Sequence, residues 1–232
     1  MVGEKLKKAK EAGIPFAYLL ERGMVNINDI LRGQSKRFFL KECGKKFRCG
    51  KHSKLRPGKY IKIGNNVKLG EYTQIDALFM EDCIIGDGVH LGERCTIMGG
   101  GIARRMGFIK IGDGSSFGGG CFFGAKGGIA IGNNTFGGQN IRFHSANHKY
   151  SDINCLIKDQ GETFQGIVVG SNCWIGAGAV FLDGTVVGDG CVIGANAVLR
   201  GSYPNNSVIV GCPAKVVKFR SDKEEKKESD NE

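Results

Sequence analysis

The sequence predicts an all-β fold, a parallel β-helix in which short strands wind around one axis. Three observations predict it. Aliphatic or aromatic residues recur every six positions, and the clearest run is Val169, Ile175, Phe181, Val187, Ile193 and Leu199. A six-residue period is the signature of stacked β-coils. A glycine directly follows four of these six residues, and the chain has 38 glycines in 232 residues, about twice the usual share. Glycine suits the sharp corners between strands.

Residues 1–60 precede the repeat and carry the basic charge. Residues 1–62 contain 17 Lys or Arg and 5 Asp or Glu, whereas residues 63–232 contain 16 and 18. We expect a short helix over residues 4–22, broken near Pro15, and a second helical piece over Asn28–Leu40, in a mostly helical or irregular segment. This segment either caps the first coil, because solenoids need covered ends, or is attracted to an anionic membrane surface. No motif supports nucleic-acid binding.

The repeat predicts a β-helix domain over residues 61–217, followed by a charged, disordered tail over residues 218–232. Side chains alternate across a strand, so the first and fifth positions of each unit point inward and the sixth points outward. Three units would make one triangular coil of about eighteen residues, and the coils share one core. The upstream units open at Ile63, Leu69, Ile75, Ile85, Leu91, Ile97, Ile111, Phe117, Phe123 and Ile129, after which the frame slips to Ile131 and Phe143.

The nine cysteines are predicted to be reduced and structural. Four occupy the inward fifth position: Cys95, Cys121, Cys173 and Cys191. Cys43 and Cys49 lie outside the predicted repeat without a second pair for zinc. We expect a reducing compartment and no metal site. The chain has no apolar run of about 18 residues and no signal-peptide pattern. It is therefore expected to be cytoplasmic, with peripheral attachment to the inner face of the membrane through residues 1–60 as a further possibility.

The repeat breaks between His144 and Gly166, which predicts a loop over residues 149–166. Insertions in repeat proteins carry binding surfaces. His148 is the sixth residue of the unit that opens at Phe143, so its side chain should point outward at the root of this loop. His144, at position two, should also lie outside the core. An outward histidine is often only solvated, but its place beside the longest insertion favours a functional role.

Three segments carry a family resemblance: SANH before the loop, WIGAGAV after it, and GCPAKVV near the end of the repeat. The chain resembles the left-handed β-helix acyltransferases over about residues 60–220, and it is most similar to sugar O-acetyltransferases of the maltose, galactoside and O-antigen or capsule type. The resemblance implies a single-stranded left-handed coil and a homotrimer. It also implies that acetyl-CoA lies between neighbouring coils, at active sites that draw on two subunits.

The resemblance implies that His148 is the catalytic base for direct transfer in a ternary complex. An imidazole titrates near neutral pH and can take the proton of an acceptor hydroxyl. The oxyanion would meet backbone N–H groups near Gly176 and Ala177. His144 and Asn147 are the expected supporting residues. A carboxylate or a backbone carbonyl would orient the imidazole, and the sequence leaves three candidate carboxylates: Asp76, Asp152 and Asp159.

The implied cofactor is acetyl-CoA. Its pantetheine arm would contact the backbone of Gly176, Ala177 and Ala195, and its phosphates would contact Lys215 and Lys218. Trp174, at an outward sixth position, either lines the CoA groove or packs between subunits. The maltose-type enzymes carry an acceptor-binding asparagine where this chain has Gly120. The sugar acceptor is therefore expected to belong to a polysaccharide or a lipid-linked glycan precursor.

Other functions remain as alternatives. An amino-sugar N-acetyltransferase would use the same fold and base, and a serine acetyltransferase-like enzyme is a related candidate. A γ-type carbonic anhydrase needs three converging histidines. The chain has four, His52, His90, His144 and His148, of which two share one unit. A non-enzymatic β-helix scaffold would show uniform outward ranks, whereas those of this chain are mixed.

Overall fold

The structure is a computed structural model that describes residues 11–101 and 104–221. Over these ranges one α-helix, α1 (Phe16–Arg37), precedes a solenoid of three sheets, here called A, B and C. Two 3-10 turns lie at Gly58–Tyr60 and Ile157–Asp159. None of the described helices is long and apolar enough to cross a membrane.

Each coil except the last contributes one strand to each sheet, in the order A, B, C, and the last coil contributes to sheets A and B alone. Sheet A contains β1 (Glu42–Cys43), β4 (Ile61–Ile63), β7 (Cys83–Ile85), β10 (Ile109–Ile111), β13 (Ile129–Ile131), β18 (Ile167–Val169), β21 (Val186–Val187) and β24 (Ser202–Tyr203). Sheet B contains β2 (Arg48–Cys49), β5 (Lys68–Leu69), β8 (His90–Leu91), β11 (Ser116–Phe117), β14 (Phe136–Gly137), β19 (Trp174–Ile175), β22 (Val192–Ile193), β25 (Ser207–Val210) and β26 (Lys215–Phe219). Sheet C contains β3 (Lys54–Arg56), β6 (Gln74–Asp76), β9 (Thr96–Met98), β12 (Phe122–Gly124), β15 (Arg142–His144), β20 (Val180–Phe181) and β23 (Val198–Leu199).

The strands of successive coils pair in parallel and in register, as Ile109, Ile129 and Ile167 do in sheet A. The last strand differs, because β26 turns back and pairs antiparallel with β25. The predicted all-β fold, a left-handed parallel β-helix of hexapeptide repeats, is confirmed.

Over residues 11–101 and 104–221, the coils differ in length at only one of their three corners. Inward residues lie six positions apart across the first corner, between sheets A and B, and across the second corner, between sheets B and C, as in Ile63, Leu69 and Ile75. Across the third corner, between sheets C and A, the separation runs from 4 positions, Leu199 to Tyr203, to 26 positions, Phe143 to Val169. The expected eighteen-residue coil is therefore found only where the third corner also spans six positions. The frame slip at Ile131 reflects two extra residues at this corner.

The core is one continuous column of inward side chains. Phe123, Phe143 and Phe181 stack there, with ring centroids 5.0 and 4.6 Å apart. The predicted fifth-position residues are all buried, including the four core cysteines. Corner glycines let the coils approach closely, since a Cβ on Gly176 would lie 2.4 Å from the backbone nitrogen of Ala195.

The N-terminal region differs from the prediction. Glu11 is helical, residues 12–15 are not, and α1 begins at Phe16, so the predicted break near Pro15 is found. Proline fits there because it is tolerated where a helix starts. The predicted interruption between residue 22 and Asn28 was wrong, since α1 runs without a break to Arg37. Residues 4–10 of that prediction lie outside the described residues.

The solenoid also starts earlier and ends later than predicted. Strands β1–β3 pair with the strands of the next coil, so the first coil begins at Glu42, well before residue 61. Cys43 and Cys49 therefore lie within this coil. At the other end, β26 reaches Phe219, so the predicted boundary of the tail at residue 218 is too early. Residues 222–232 of that tail lie outside the described residues.

All nine cysteines are free. Burial raises the pKa of the Cys83 thiol, and burial raises that of Cys173 to about 11. Cys155 and Cys212 lie outside the core, half-buried and exposed respectively.

Candidate active site

The long insertion at the third corner is a short β-hairpin. Strands β16 (Asn147–His148) and β17 (Glu162–Thr163) pair antiparallel, which places His148 opposite Glu162. Asp183, at the third corner of the next coil, anchors the base of the hairpin. Its carboxylate accepts hydrogen bonds from the backbone N–H groups of Gln165 and Gly166, both at 2.9 Å, and from the Thr163 hydroxyl at 3.1 Å. The root of the predicted loop is therefore firmly held.

His148, Glu162 and Lys126 form a linked group of charged and polar side chains. The Nε2 atom of His148 lies 3.8 Å from Oε1 of Glu162, and the ammonium of Lys126 forms an ion pair with the other carboxylate oxygen. The His148 side chain is 61% exposed, whereas that of Glu162 is 24% exposed. A partly sheltered carboxylate thus faces an accessible imidazole, as a general base and its orienting group require.

Of this group, His148 lines an open groove of about 490 Å³, whereas Glu162 and Lys126 are not among the residues that line it. The groove is lined by both predicted histidines, His144 and His148, together with Asn147, Lys149 and Arg200. His144 ends strand β15 and lies 5.4 Å from the ring of Phe122. Burial, with a smaller contribution from Arg142, lowers the pKa of His144.

The three carboxylates considered from the sequence do not contact His148. Asp76 lies on β6, which is separated from β15 by two strands of sheet C. At about 4.8 Å per strand this places Asp76 some ~14 Å from the His144 strand. Asp152 shapes the hairpin tip, because its carboxylate accepts from the Asn154 N–H and its carbonyl accepts from the Gln160 amide. Asp159 ends the 3-10 turn.

Glu162 and Lys126 were missed by the sequence reasoning. A signal for Glu162 was present in the spacing. His148 follows the end of β15 by four residues, and Glu162 precedes Gly166 by four residues. The insertion leaves one coil and returns to the next, so its two ends run side by side. Residues at equal distances from the two ends therefore tend to pair.

The predicted cofactor-binding residues lie on the second corner. Ala177 and Ala195 occupy equivalent exposed positions in successive coils, and the Asn196 N–H donates to the Ala177 carbonyl at 2.9 Å. Among the described residues, the N–H groups of Ala177 and Ala195 have no hydrogen-bond partner, whereas the Gly176 N–H donates to Ile193 at 2.7 Å. Ala177 can therefore offer a backbone donor, and Gly176 cannot.

The other predicted positions extend along the same side of the solenoid. Trp174 is 53% exposed on sheet B and stacks on Phe136, with centroids 6.1 Å apart. Lys215 and Lys218 lie on the exposed strand β26. Gly120 occupies the second corner with φ +73°, where a side chain would be strained.

The two groups of predicted residues are not adjacent within one chain. Ala177 and Ala195 lie at the second corner, whereas His148 lies at the third, and the whole width of sheet C separates these corners. In the described part of the chain, no three His, Cys, Asp or Glu side chains are placed to hold a metal ion.

Comparisons with known proteins give a consistent picture. Residues 166–201 match the family model for the bacterial transferase hexapeptide (six repeats). A protein of Mycobacterium tuberculosis named a probable acetyltransferase is 36% identical over 136 residues, which are 59% of this chain and 44% of that protein. A Dictyostelium discoideum protein with the provisional name of an acetyltransferase is 46% identical over 91 residues, 39% of this chain and 46% of its own length. The chain thus spans less than half the length of these curated relatives.

Among solved structures, a mutant of AntD, an N-acyltransferase from Bacillus cereus, shares the fold. That structure, in complex with dTDP-4-amino-4,6-dideoxyglucose and coenzyme A, has a TM-score of 0.56 and 18% sequence identity. The match covers 82% of this chain and 90% of that one.

Proposed function

Because residues 166–201 carry the hexapeptide repeat of bacterial transferases, we propose that the chain is an acetyltransferase that moves an acetyl group from acetyl-CoA to a sugar. Both curated relatives carry acetyltransferase names. The observation that carries the proposal is the group formed by His148, Glu162 and Lys126 at the edge of an open groove.

In the proposed mechanism, His148 acts as a general base. With the N–H at Nε2 directed at Glu162, Nδ1 keeps a lone pair that accepts the proton of the sugar hydroxyl. The hydroxyl oxygen forms the new C–O bond at the thioester carbonyl, the C–S bond breaks, and the thiolate of CoA takes up the proton. Glu162 stabilises the transient imidazolium, since the carboxylate is already within ion-pair distance.

The proposed active site is shared between two subunits of a homotrimer. The Ala177 N–H is a donor suited to the oxyanion, but sheet C separates it from His148 in one chain. Packing the second corner of one subunit against the third corner of the next would bring the two together. Trp174 and Ala195 would then line the CoA groove, with Lys215 and Lys218 near its phosphates.

The finer proposal is O-acetylation of a polysaccharide or lipid-linked glycan precursor in the cytoplasm. His144 and Asn147 line the groove and would contact the acceptor. Gly120 offers no side chain where maltose-type enzymes have an asparagine, so the acceptor would be held differently. The proposal includes peripheral membrane attachment through residues 1–60.

The test is a screen of sugars, nucleotide sugars and glycans with acetyl-CoA, in which release of free thiol is followed. We expect turnover with a hydroxyl acceptor and a loss of about 10²–10⁴-fold in His148→Ala, with acetyl-CoA binding unchanged. His52→Ala is the matched control, because that ring stacks on Tyr72 and lies in the first coil, five coils before Ala177. Undiminished turnover in His148→Ala would refute the mechanism.

Amino-sugar N-acetylation is the second candidate, because AntD, an N-acyltransferase, shares the fold. The same base would then deprotonate an amine as it attacks the thioester. An acceptor that reacts only through an amino group would replace the O-acetyl proposal, and serine as the sole acceptor would indicate a serine acetyltransferase-like enzyme. No thiol release with any acceptor would support a non-enzymatic scaffold.

A further inference from the structure

Helix α1 presents an apolar stripe to solvent. The stripe consists of Phe16, Leu20, Met24, Ile27 and Leu31, which are each between 52% and 68% exposed. Spacings of four, four, three and four residues place all five on one face of an α-helix. At about 1.5 Å per residue the stripe is some ~22 Å long. Just beyond the helix, Phe38 and Phe39 are 87% and 77% exposed.

The opposite face of α1 is fixed to the first coil. Gly33 packs directly on this coil, since a Cβ there would lie 2.1 Å from the Phe47 carbonyl oxygen. Arg32 donates from Nε to the Cys49 carbonyl at 3.1 Å and forms an ion pair with Asp29, whose side chain is buried. The helix therefore docks through polar groups and glycine, and its apolar stripe points away from the solenoid.

This arrangement reverses the usual one. A surface helix of a soluble protein buries its apolar face against the core, and a contiguous exposed apolar patch marks an interaction surface. Within the described residues nothing covers the stripe.

The charge of the surrounding sequence indicates which partner would cover it. Residues 1–62 contain 17 basic and 5 acidic residues. Lys36 and Arg37 lie in the last turn of α1, next to the two exposed phenylalanines. An apolar stripe combined with dense positive charge matches an anionic lipid surface, where the stripe enters the headgroup boundary and the nearby cations are attracted to the anionic headgroups.

We propose that α1 is an interfacial membrane anchor that binds anionic phospholipid bilayers through this stripe. The helix lies flat on the bilayer, together with Phe38 and Phe39. The inference deepens, and rests on, the proposed peripheral attachment of residues 1–60, but it does not depend on which acceptor is acetylated. It places the end of the solenoid at the lipid surface, as an enzyme acting on a lipid-linked acceptor requires.

The experiment is co-sedimentation of the full chain with vesicles of phosphatidylcholine alone and of phosphatidylcholine with phosphatidylglycerol. We expect binding to the anionic vesicles that weakens as salt is raised. Leu20→Glu with Ile27→Glu should lower the partition coefficient about tenfold or more, because each replacement removes an exposed apolar side chain that would become buried in the lipid. Met80→Glu, at a residue 68% exposed in a loop of the solenoid, is the matched control and should bind as the parent does.

Two further measurements separate the outcomes. Circular dichroism and melting of the double variant should match the parent, because the stripe makes no core contact, so a loss of binding is not a loss of fold. Free-thiol release with a water-soluble acceptor should also be unchanged, which distinguishes failure of the anchor from failure of acetyl transfer.

The anchor is refuted if the parent does not bind anionic vesicles, or if the variant binds equally well. A change in oligomeric mass caused by the same replacements without vesicles would instead identify a second copy as the partner.

Discussion

At the scale of single residues, Glu162 links the accessible imidazole to the solenoid. It faces His148 on one side and is tied to Lys126 on the other. Lys126 lies at the third corner of the preceding coil, so the hairpin is fastened to the coils both before and after it. The position of His148 is therefore determined by fixed neighbours on both sides, which is what a preorganised base requires.

Replacing Glu162 with Gln should lower kcat by about 10–100-fold with little change in KM, because the amide cannot stabilise an imidazolium as a carboxylate does. The measurement is steady-state thiol release over a range of acceptor concentrations. Asp159→Asn, in the 3-10 turn of the same hairpin, is the control and should keep parental kcat. A rise in KM alone would show that Glu162 binds the acceptor and does not act through His148.

The outward position of His148 could be predicted because it follows from the phase of the six-residue repeat. Its partner could not be predicted in the same way. Glu162 is placed by the register of an insertion that has no period of its own, and by an ion pair with Lys126, which lies 36 residues earlier at the third corner of the preceding coil. Asp152 and Asp159 are nearer to His148 along the chain, but the fold of the hairpin tip directs them elsewhere.

At the scale of elements, sheet B carries a column of cations beside α1. Arg48, Lys68 and His90 occupy the same outward position in three successive strands. Burial, followed by the charges of Lys68 and Arg48, lowers the pKa of His90 from its ordinary value of 6.5. Unfolded His90 therefore takes up a proton more readily than folded His90, so the free energy of unfolding falls as the pH drops below 6.5.

Replacing His90 with Gln should remove this part of the acid sensitivity. The free energy of unfolding, measured by urea titration at pH 7.5 and pH 5, should fall less in His90→Gln than in the parent chain. His52→Gln, at the second corner, serves as the comparison. An equal fall in His90→Gln and the parent would show that neither burial nor the neighbouring charges disfavour protonation of His90 in the folded chain.

The strands could be predicted more reliably than the helix. Every inward residue of the predicted units is buried, because each coil places its inward side chains against those of the neighbouring coils in the same way. Helix α1 has its apolar residues on the outer face, so the usual link between an apolar stripe and a core contact does not apply to it. The first coil was missed because cysteines, Cys43 and Cys49, occupy the inward positions at which the next coil has Ile63 and Leu69.

At the scale of the whole molecule, the proposed site is divided between two corners of the solenoid. A trimer with closed rotational symmetry would join them three times, each site taking His148 from one subunit and Ala177 from the next. Neither corner would then be sufficient alone.

This division can be tested by complementation. His148→Ala and Ala177→Trp should each be inactive, the second because its side chain fills the groove. Trimers reassembled from equal amounts of both should regain about a quarter of the parental activity, because one site in four receives both intact halves. Reassembled His148→Ala alone is the control. No recovery in mixed trimers of verified composition would place both halves in one subunit.

In the part of the chain that the structure describes, the third corner is also the only place where the coils vary in length, from four positions to 26. The other two corners keep every inward side chain in step, so residues can be added or removed at the third corner without shifting the stacked core. Acceptor preference could therefore be exchanged between relatives by grafting this segment alone, with Asp183 kept as the fixed junction. The solenoid would serve as a constant frame, and substrate range would diversify by insertion and deletion at a single seam.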